Sequence, residues 1–350
     1  MTTMDNNYYH KYLKYKTKYN KLLNNDKIYL ARIKNNNSND KNDMDKIIAI
    51  ANNVQILGMA EATHGQNIIT KFRINIFKNL VEKCGYTVFI LEDQYSCCEK
   101  INQYIHGKKG DINKLMMDLV WFWQSVSMLK LIEWMKKYNI KYRNILEFRG
   151  IDIQSLCKSN KSDKIAEFAK KKNRLNKKVD QDNWVKADGY RDKSMFDVFM
   201  KIYDPSKKYF IYAHNYHIAK MDLVGSGTFP ADTESEGRLI RGDESVDWLG
   251  CLLFKKFNNQ YYAIGNVFLG GSYLETFDLV QQKKDSGFDI IYQKIGNSNF
   301  IAVEDVPAVG KINIDKLTPG LTIYKNATNR PFDAIMTIAS EKPLKLTHYV

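Results

Sequence analysis

No stretch of this 350-residue chain approaches the roughly 20 consecutive apolar residues that a membrane-spanning helix needs. Its first residues also lack the apolar core of a secretory signal. A soluble, intracellular protein is the expectation. Cysteine is scarce: Cys84, Cys97, Cys98, Cys157 and Cys251 are an odd set with no C-x-x-C pair. That argues against a cysteine-held zinc or a dithiol centre and for free thiols in a reducing compartment. There is no G-x-S-x-G nucleophile elbow, no H-E-x-x-H zinc helix and no Walker A loop. The glycines at 225–227 are too few for a phosphate loop and open no clear helix. Nothing marks Cys97 or Cys98 as an activated thiolate. Nucleic acid is not expected as a substrate.

What the chain does have is charge and alternation. Lys and Arg number 53 against 39 Asp and Glu, a formal net charge of +14. This balance favours anionic partners, although abundant surface lysine alone would produce it. Hydrophobic residues, at 44%, suffice for a sizeable core. In residues 8–25, Tyr8, Tyr12, Tyr15, Tyr19 and Leu22 follow a 4-3-4-3 spacing that puts an aromatic stripe on one helix face among lysines. Residues 1–33 therefore read as a basic amphipathic leader helix, docked on the body or engaging an acidic surface or assembly. The stretch resembles the Lys-Tyr leaders of proteins from large DNA viruses of amoebae. Polar, aperiodic "KNNNSNDKNDMD", 34–45, reads as a linker, and 46–350 as the main domain.

That body alternates short apolar strands with helices. "VQILGM", "TVFILE", "ILEFRGID", "KYFIYAHNYH", "QYYAIGNVF" and "FDAIMTIAS" read as strands. Ile68, Ile69, Phe72, Ile76, Phe77, Leu80 and Val81 form one helix face that should end near Gly85. Further helices fall near 95–106, 127–138, 161–178, 191–203 and 246–257. The fold class that follows is α/β, a mainly parallel sheet flanked by helices on both faces.

Four of these strands end in chemically able residues: Glu61 and His64, Glu92, Asp152, then His214 and His217. In an open parallel sheet such ends meet along one edge, where ligands bind. Each residue has a plain structural alternative: Glu92 and Asp152 could cap helices, and a lone histidine after a strand is more often a hydrogen-bonded support. The coincidence weighs against that, because three of only six histidines lie at strand ends, whereas His10, His106 and His348 do not.

At these residues the chain resembles the erythromycin esterases. "GMAEATHG", 58–65, is similar to the family's G-E-A-T-H-G box, with Ala60 replacing its first glycine. Arg73 matches the arginine of the following helix, and "FILE" the strand that ends in a second glutamate, here Glu92. "RGIDIQ", 149–154, resembles G-x-D-x-Q, "RDKSM", 191–195, resembles R-D/E-x-x-M, and "YAHNYHIAK", 212–220, the A-H-N-x-H box. "FDAIMTIASEKP" resembles the closing strand. A Met-Gly-x-x-L element is degraded to "LGCLL", 249–253. The matches are collinear over roughly 50–345.

The resemblance implies an erythromycin-esterase-like fold with a helical insertion, about 155–190, roofing the cleft. It implies a carboxylic ester hydrolase acting on a small-molecule ester or lactone with activated water, no covalent intermediate and no cofactor. His64 would be the general base, Glu61 and Glu92 would orient it and position water, and Arg73 would stabilise the oxyanion or hold a glutamate. His214 would line the cleft, with His217, Asn215 and Asp152 contacting substrate. Elementary chemistry agrees: a carboxylate orients and tunes a histidine base, and a guanidinium suits developing negative charge. Two alternatives stay open. Glu61, His64, Glu92, His214 and His217 could ligate zinc or manganese, or the chain could be a non-catalytic virion or scaffold protein.

Overall fold

The computed structural model describes residues 29–33, 41–61, 64–65, 67–143, 145–154, 157, 163–180, 184–220, 222–223, 246–268, 271–275, 278–282, 300–302 and 332–338. In chain order these form β1 (Tyr29–Ile33), α1 (Lys41–Asn52), β2 (Ile56–Glu61), α2 (Asn67–Cys84), β3 (Tyr86–Gln94), α3 (Tyr95–Ile105), α4 (Ile112–Met117), a 3-10 turn (Trp121–Trp123), α5 (Val126–Tyr142) and β4 (Glu147–Asp152). There follow α6 (Lys164–Asp180), α7 (Trp184–Ile202), β5 (Lys208–His214), α8 (Asn215–Ile218), β6 (Asp222–Leu223), β7 (Val246–Asp247), α9 (Leu249–Phe257), β8 (Tyr261–Phe268), β9 (Gly271–Glu275), β10 (Asp278–Gln282), β11 (Phe300–Ala302) and β12 (Ala334–Ile338).

Eight strands make one sheet in the order β11-β1-β12-β8-β2-β5-β3-β4. All neighbours are parallel except β1 and β11. The expected α/β class with a mainly parallel sheet is therefore the observed one. The four strands read as carrying chemistry, β2, β5, β3 and β4, stand side by side, so their C-terminal ends share one edge.

Side chains alternate across a strand, and the core splits accordingly. Leu57, Met59, Phe89, Leu91, Phe210 and Tyr212 enter one apolar cluster with α1, α2, α3 and α5. Ile56, Ala60, Val88, Ile90, Tyr209, Ile211 and Ala213 enter a second with α6, α7 and α9. Near-continuous apolar strands are what a sheet covered on both faces requires. The helix expected from Ile68 ends where foreseen: Gly85 takes φ 72°, the left-handed conformation that glycine adopts at no steric cost.

Three differences from the expectations matter. Tyr29–Ile33, inside the segment read as a detached leader, is an inner strand of the sheet, in register with β12 from Tyr29↔Ala334 to Ile33↔Ile338. A five-residue strand flanked by Lys and Asn gave too short a signal to separate from its surroundings. Likewise α1 starts at Lys41, within the segment read as a linker; the aromatic stripe Tyr8–Leu22 lies outside the described residues. Finally, Cys97 and Cys157 form a disulfide, with Cα atoms 5.4 Å apart, where five free thiols were expected. A pair 60 residues apart has no spacing signature. Cys84, Cys98 and Cys251 are free and buried.

The β4 backbone presses closely on the end of β3. A Cβ on Gly150 would lie 2.5 Å from the carbonyl oxygen of Asp93 and 2.7 Å from that of Gln94. Neither can yield without moving the strand. Gly150→Ala is expected to lose about 1–3 kcal/mol, the usual cost of overpacking, measured by urea unfolding; an unchanged midpoint would show that the two strands are not so tightly packed.

Candidate active site

The alternation that divides the core also divides the acids. Glu61 follows Leu57 and Met59 onto the α2 face. Glu92 follows Val88 and Ile90 onto the α7 face. Two hydrogen-bonded networks result, one on each side of the sheet.

On the α2 face, Glu61 is buried. Its Oε1 lies 2.5 Å from Nδ1 of His64. Its Oε2 accepts from the Tyr212 hydroxyl at 2.8 Å and from Nη1 of Arg73 at 3.4 Å. Arg73 is fully buried and stacks on the Tyr212 ring, 4.6 Å from its centroid. Its Nη1 also donates to the Tyr212 oxygen, at 3.2 Å. Because the one phenolic hydrogen goes to Glu61, Thr70 must donate in its 3.2 Å contact with Tyr212. Burial, with the Glu61 charge, raises the Tyr212 phenol, so it stays a donor. Arg73 therefore holds the glutamate.

On the α7 face, Arg191 is the hub. Its Nε and Nη2 grip Asp152 at 3.1 and 2.8 Å, and Nη2 also reaches Oε1 of Glu92 at 3.0 Å. His217 contacts the same Glu92 oxygen through Nε2 at 3.0 Å and Asp192 through Nδ1 at 2.8 Å. Burial alone would depress His217, but the charges of Asp192 and Glu92 outweigh it and push it up to about 10. His217 is thus an imidazolium that donates from both nitrogens. It also sits 3.2 Å from Nη1 of Arg191, a like-charge contact that three surrounding carboxylates make tolerable. Burial would raise Glu92; His217, Arg191 and His64 more than offset it and hold the acid well below the usual carboxylate range. Arg191 is itself raised, burial being overcome by Asp152 and Glu92.

The networks meet at the sheet edge. Glu61 and His214 are register partners of β2 and β5. The other oxygen of Glu92, Oε2, accepts from the His214 peptide N–H at 2.7 Å, so the α7-face network fixes the backbone that carries the second histidine. The rings of His64 and His214 are 5.4 Å apart. His64 stacks on Phe122 with centroids 3.8 Å apart and planes 9° from parallel. Two residues at the end of β3 hold that aromatic turn: the Glu92 carbonyl accepts from the Trp123 indole at 2.9 Å, and Asp93 accepts from the Val120 N–H at 2.9 Å. Burial pushes Asp93 up to about 8, against the pull of the Gln94 and Val120 N–H groups.

The geometry assigns protons. The Glu61 carboxylate makes Nδ1 the donor of His64, so the neutral ring carries its lone pair on Nε2. His214 accepts through Nδ1 from the Tyr216 N–H at 3.4 Å, so its neutral ring carries hydrogen on Nε2. One ring can take a proton and its neighbour can donate a hydrogen bond.

Glu61, His64, Arg73, Glu92, Asp152, His214 and His217 thus belong to one connected edge. Glu92, expected beside His64 as an orienting group, directs its carboxylate to Arg191, His217 and the His214 backbone. Asp152 is occupied by Arg191. Asn215 is buried with its amide spent on the Asn266 backbone, donating to the carbonyl at 2.8 Å and accepting from the N–H at 3.0 Å; it fastens the start of α8 to β8. Arg191, Asp192, Tyr212 and Phe122 were missed as site residues. The "RDKSM" segment had been noted, but only the packing of α7 on the sheet gives it a role. Of the insertion expected over the cleft, about 155–190, α6 buries Ala166 and Ala169 in the sheet-facing cluster, and α7, which starts at Trp184, delivers the hub. Among the described residues no group of three or more His, Cys, Asp or Glu is placed to hold a metal ion; the guanidinium of Arg191 lies between the acids that would.

A family model for erythromycin esterase matches residues 81–182 and 164–286, together more than half of the chain. The chain belongs to the erythromycin esterase family. Similar solved structures include an erythromycin esterase, the histidine variant of EreC in its open conformation, at TM-score 0.55 and 14% identity over 87% of this chain and 95% of that one. A Bacillus cereus protein aligns at 0.54 and 17% identity, covering 93% and 98% of the two chains. A succinoglycan biosynthesis protein aligns at 0.53 and 18%, covering 76% and 80%. At these identities the likeness is one of fold. No match is found among curated proteins. Among the described residues, no helix is long and apolar enough to cross a membrane.

The buried charges set a pH dependence. The folded value of His217, about 10, exceeds its ordinary 6.5. Its stabilisation is complete below pH 6.5 and lost as pH rises through about 10. The raised Asp93, about 8 against 3.8, acts in the same sense at lower pH. Thermal midpoints are expected to fall between pH 7 and 10, with a shallower fall for His217→Gln. Parallel curves for the two proteins would show that His217 does not titrate in that window.

Proposed function

We propose that this protein is a metal-independent hydrolase of a carboxylic ester or lactone, with His64 activating water. The observation that carries the reading is the Glu61–His64 pair at the sheet edge, one member buried and the other with its side chain 30% exposed. Nδ1 is held by a carboxylate that Tyr212 and Arg73 fix from behind. Nε2 is then the basic nitrogen on the ring's far side, the arrangement that general-base catalysis needs. Family membership points to a hydrolase, and EreC is, by its name, an erythromycin esterase.

In the proposed reaction Nε2 of His64 removes a proton as water attacks the carbonyl carbon. The electron pair of the C=O bond moves to oxygen, and the Nε2–H of His214 donates to that oxyanion. The Glu61 carboxylate stabilises the imidazolium that forms. Collapse breaks the carbon–oxygen bond, His64 returns its proton to the departing alkoxide, and a carboxylic acid and an alcohol leave. No nucleophilic side chain is consumed. The carboxylates that could have ligated a cation are committed to Arg191 and to imidazole hydrogens. Trp121 and Phe122, both partly exposed, give the substrate an aromatic wall beside the base.

His64→Ala is expected to keep the fold and lose about 10²–10⁴-fold in turnover, assayed on a panel of lactones and aryl esters. Near-normal turnover by a correctly folded His64→Ala protein would refute the assignment. Glu61→Gln should lower turnover more than it raises KM, because it removes charge stabilisation that grows in the transition state; a pure KM effect would instead make Glu61 a binding residue.

A further inference from the structure

The end of α5 carries an exposed apolar and basic surface that the catalytic edge does not use. Among the described residues, five large hydrophobic side chains are markedly exposed, and three of them fall within six residues: Ile140 at 72%, Tyr142 at 43% and Ile145 at 43%. Lys137, Lys141 and Arg143 lie among them and are exposed. No Asp or Glu occurs between Trp134 and Leu146, so the last turns of α5 carry only basic charges of their own; Glu133, one turn back, holds the Tyr104 hydroxyl, and Glu82 of α2 acts on Tyr138. Lys137 and Lys141 stand at helical spacing on one outward face, with Ile140 beside them. Tyr142 leans on Tyr138, and Tyr138 on Trp134, as tilted ring pairs with centroids 4.4 and 5.2 Å apart. The helix then stops at Arg143, in the left-handed conformation at φ 63° and ψ 51°. Glycine usually takes that position; here it displays a guanidinium at the tip.

Each feature has a chemical meaning. Exposed isoleucines gain from leaving water. Tyrosine prefers a boundary that is apolar on one side and wet on the other. Lysine and arginine seek anions. The surface that satisfies all three is the boundary of an anionic bilayer, where apolar groups enter the acyl region and basic groups meet headgroups. Single-stranded nucleic acid would use the charges and the rings but leave Ile140 and Ile145 with nothing to bury against.

The position in the fold suits such contact. The helix begins beside the aromatic turn at His64 and spans 17 residues, about 25 Å at 1.5 Å per residue. Its far end leads into the start of β4, on the edge of the parallel sheet opposite the strand ends that carry the site. A protein resting on this tip would keep its catalytic edge turned to solvent.

We infer that the tip of α5, with the turn into β4, docks this protein on an anionic lipid surface. The test is co-sedimentation of the full chain with vesicles of phosphatidylcholine alone and of phosphatidylcholine with phosphatidylserine. Binding is expected only to the anionic vesicles and should fall as salt is raised. Each basic residue near a charged surface contributes about fivefold in affinity, so Lys137→Glu with Lys141→Glu should weaken binding roughly 25-fold or more. Ile140→Asn should weaken it at constant charge. Far-UV circular dichroism and the thermal midpoint verify that the variants fold. Equal binding to neutral vesicles, or no binding to anionic ones, would overturn the inference. Undiminished binding by the variants would assign the affinity to another basic segment and overturn it too. So would a patch-dependent complex with single-stranded oligonucleotide, or self-association that the variants abolish, in the absence of lipid binding.

Discussion

The grip of Arg191 on Glu92 and Asp152 is the interaction on which the rest of the site depends. It joins a helix to two adjacent strands, and through Glu92 it fixes the peptide that carries His214. Three carboxylates stand in a space closed to water, and their mutual repulsion must be answered inside the protein. Arg191 and the imidazolium of His217 answer it. Such a cluster is weak evidence for stability as a whole, since an apolar packing of equal volume could serve as well. Removing one partner is another matter, because it strands an uncompensated charge. The cluster therefore works as a constraint: α7 must stand where its guanidinium can reach both strand ends.

Strand geometry explains why two separate supports exist. Glu61 and Glu92 end neighbouring parts of one sheet, yet the alternation of side chains sends them to opposite faces. Neither can support both histidines. Glu61, backed by Tyr212, Arg73 and Thr70, orients the ring of His64 from one side. Glu92, backed by Arg191 and His217, holds the backbone of His214 from the other. The two rings meet only at the edge, 5.4 Å apart. Their proton positions are opposite in sense because one is bound by a carboxylate and the other by an N–H group. The acid–base asymmetry of the proposed reaction follows from that difference.

Much of the fold could be read from the sequence because its signals are local. Apolar runs ending in Glu61, Glu92, Asp152 and His214 marked the strands, and the spacing from Ile69 to Leu80 marked α2. Parallel strands then made it natural that their ends converge. What could not be read depends on pairing across the chain. Tyr29–Ile33 becomes a strand only because β12 lies beside it, and Cys97 meets Cys157 only after β4 has packed against α3. Arg191 was visible as part of a motif, but nothing within a few residues of it shows that it will face Glu92 from 99 positions away. Tyr212 looked like one more apolar residue of a buried strand. Its hydroxyl acquires meaning only from Glu61 on the neighbouring strand. The residues that the strands bring to the edge were legible, and those that hold them in place were less so.

The central claim is that Arg191 answers the buried charge of Glu92 and Asp152 and thereby holds the strand ends together. Urea unfolding of Arg191→Gln at neutral pH, beside the unaltered protein, tests it without need of a substrate. The account predicts a loss of about 3–5 kcal/mol, the cost of leaving buried carboxylates without their partner. A loss below about 1 kcal/mol, the range of an exposed ion pair, would contradict it.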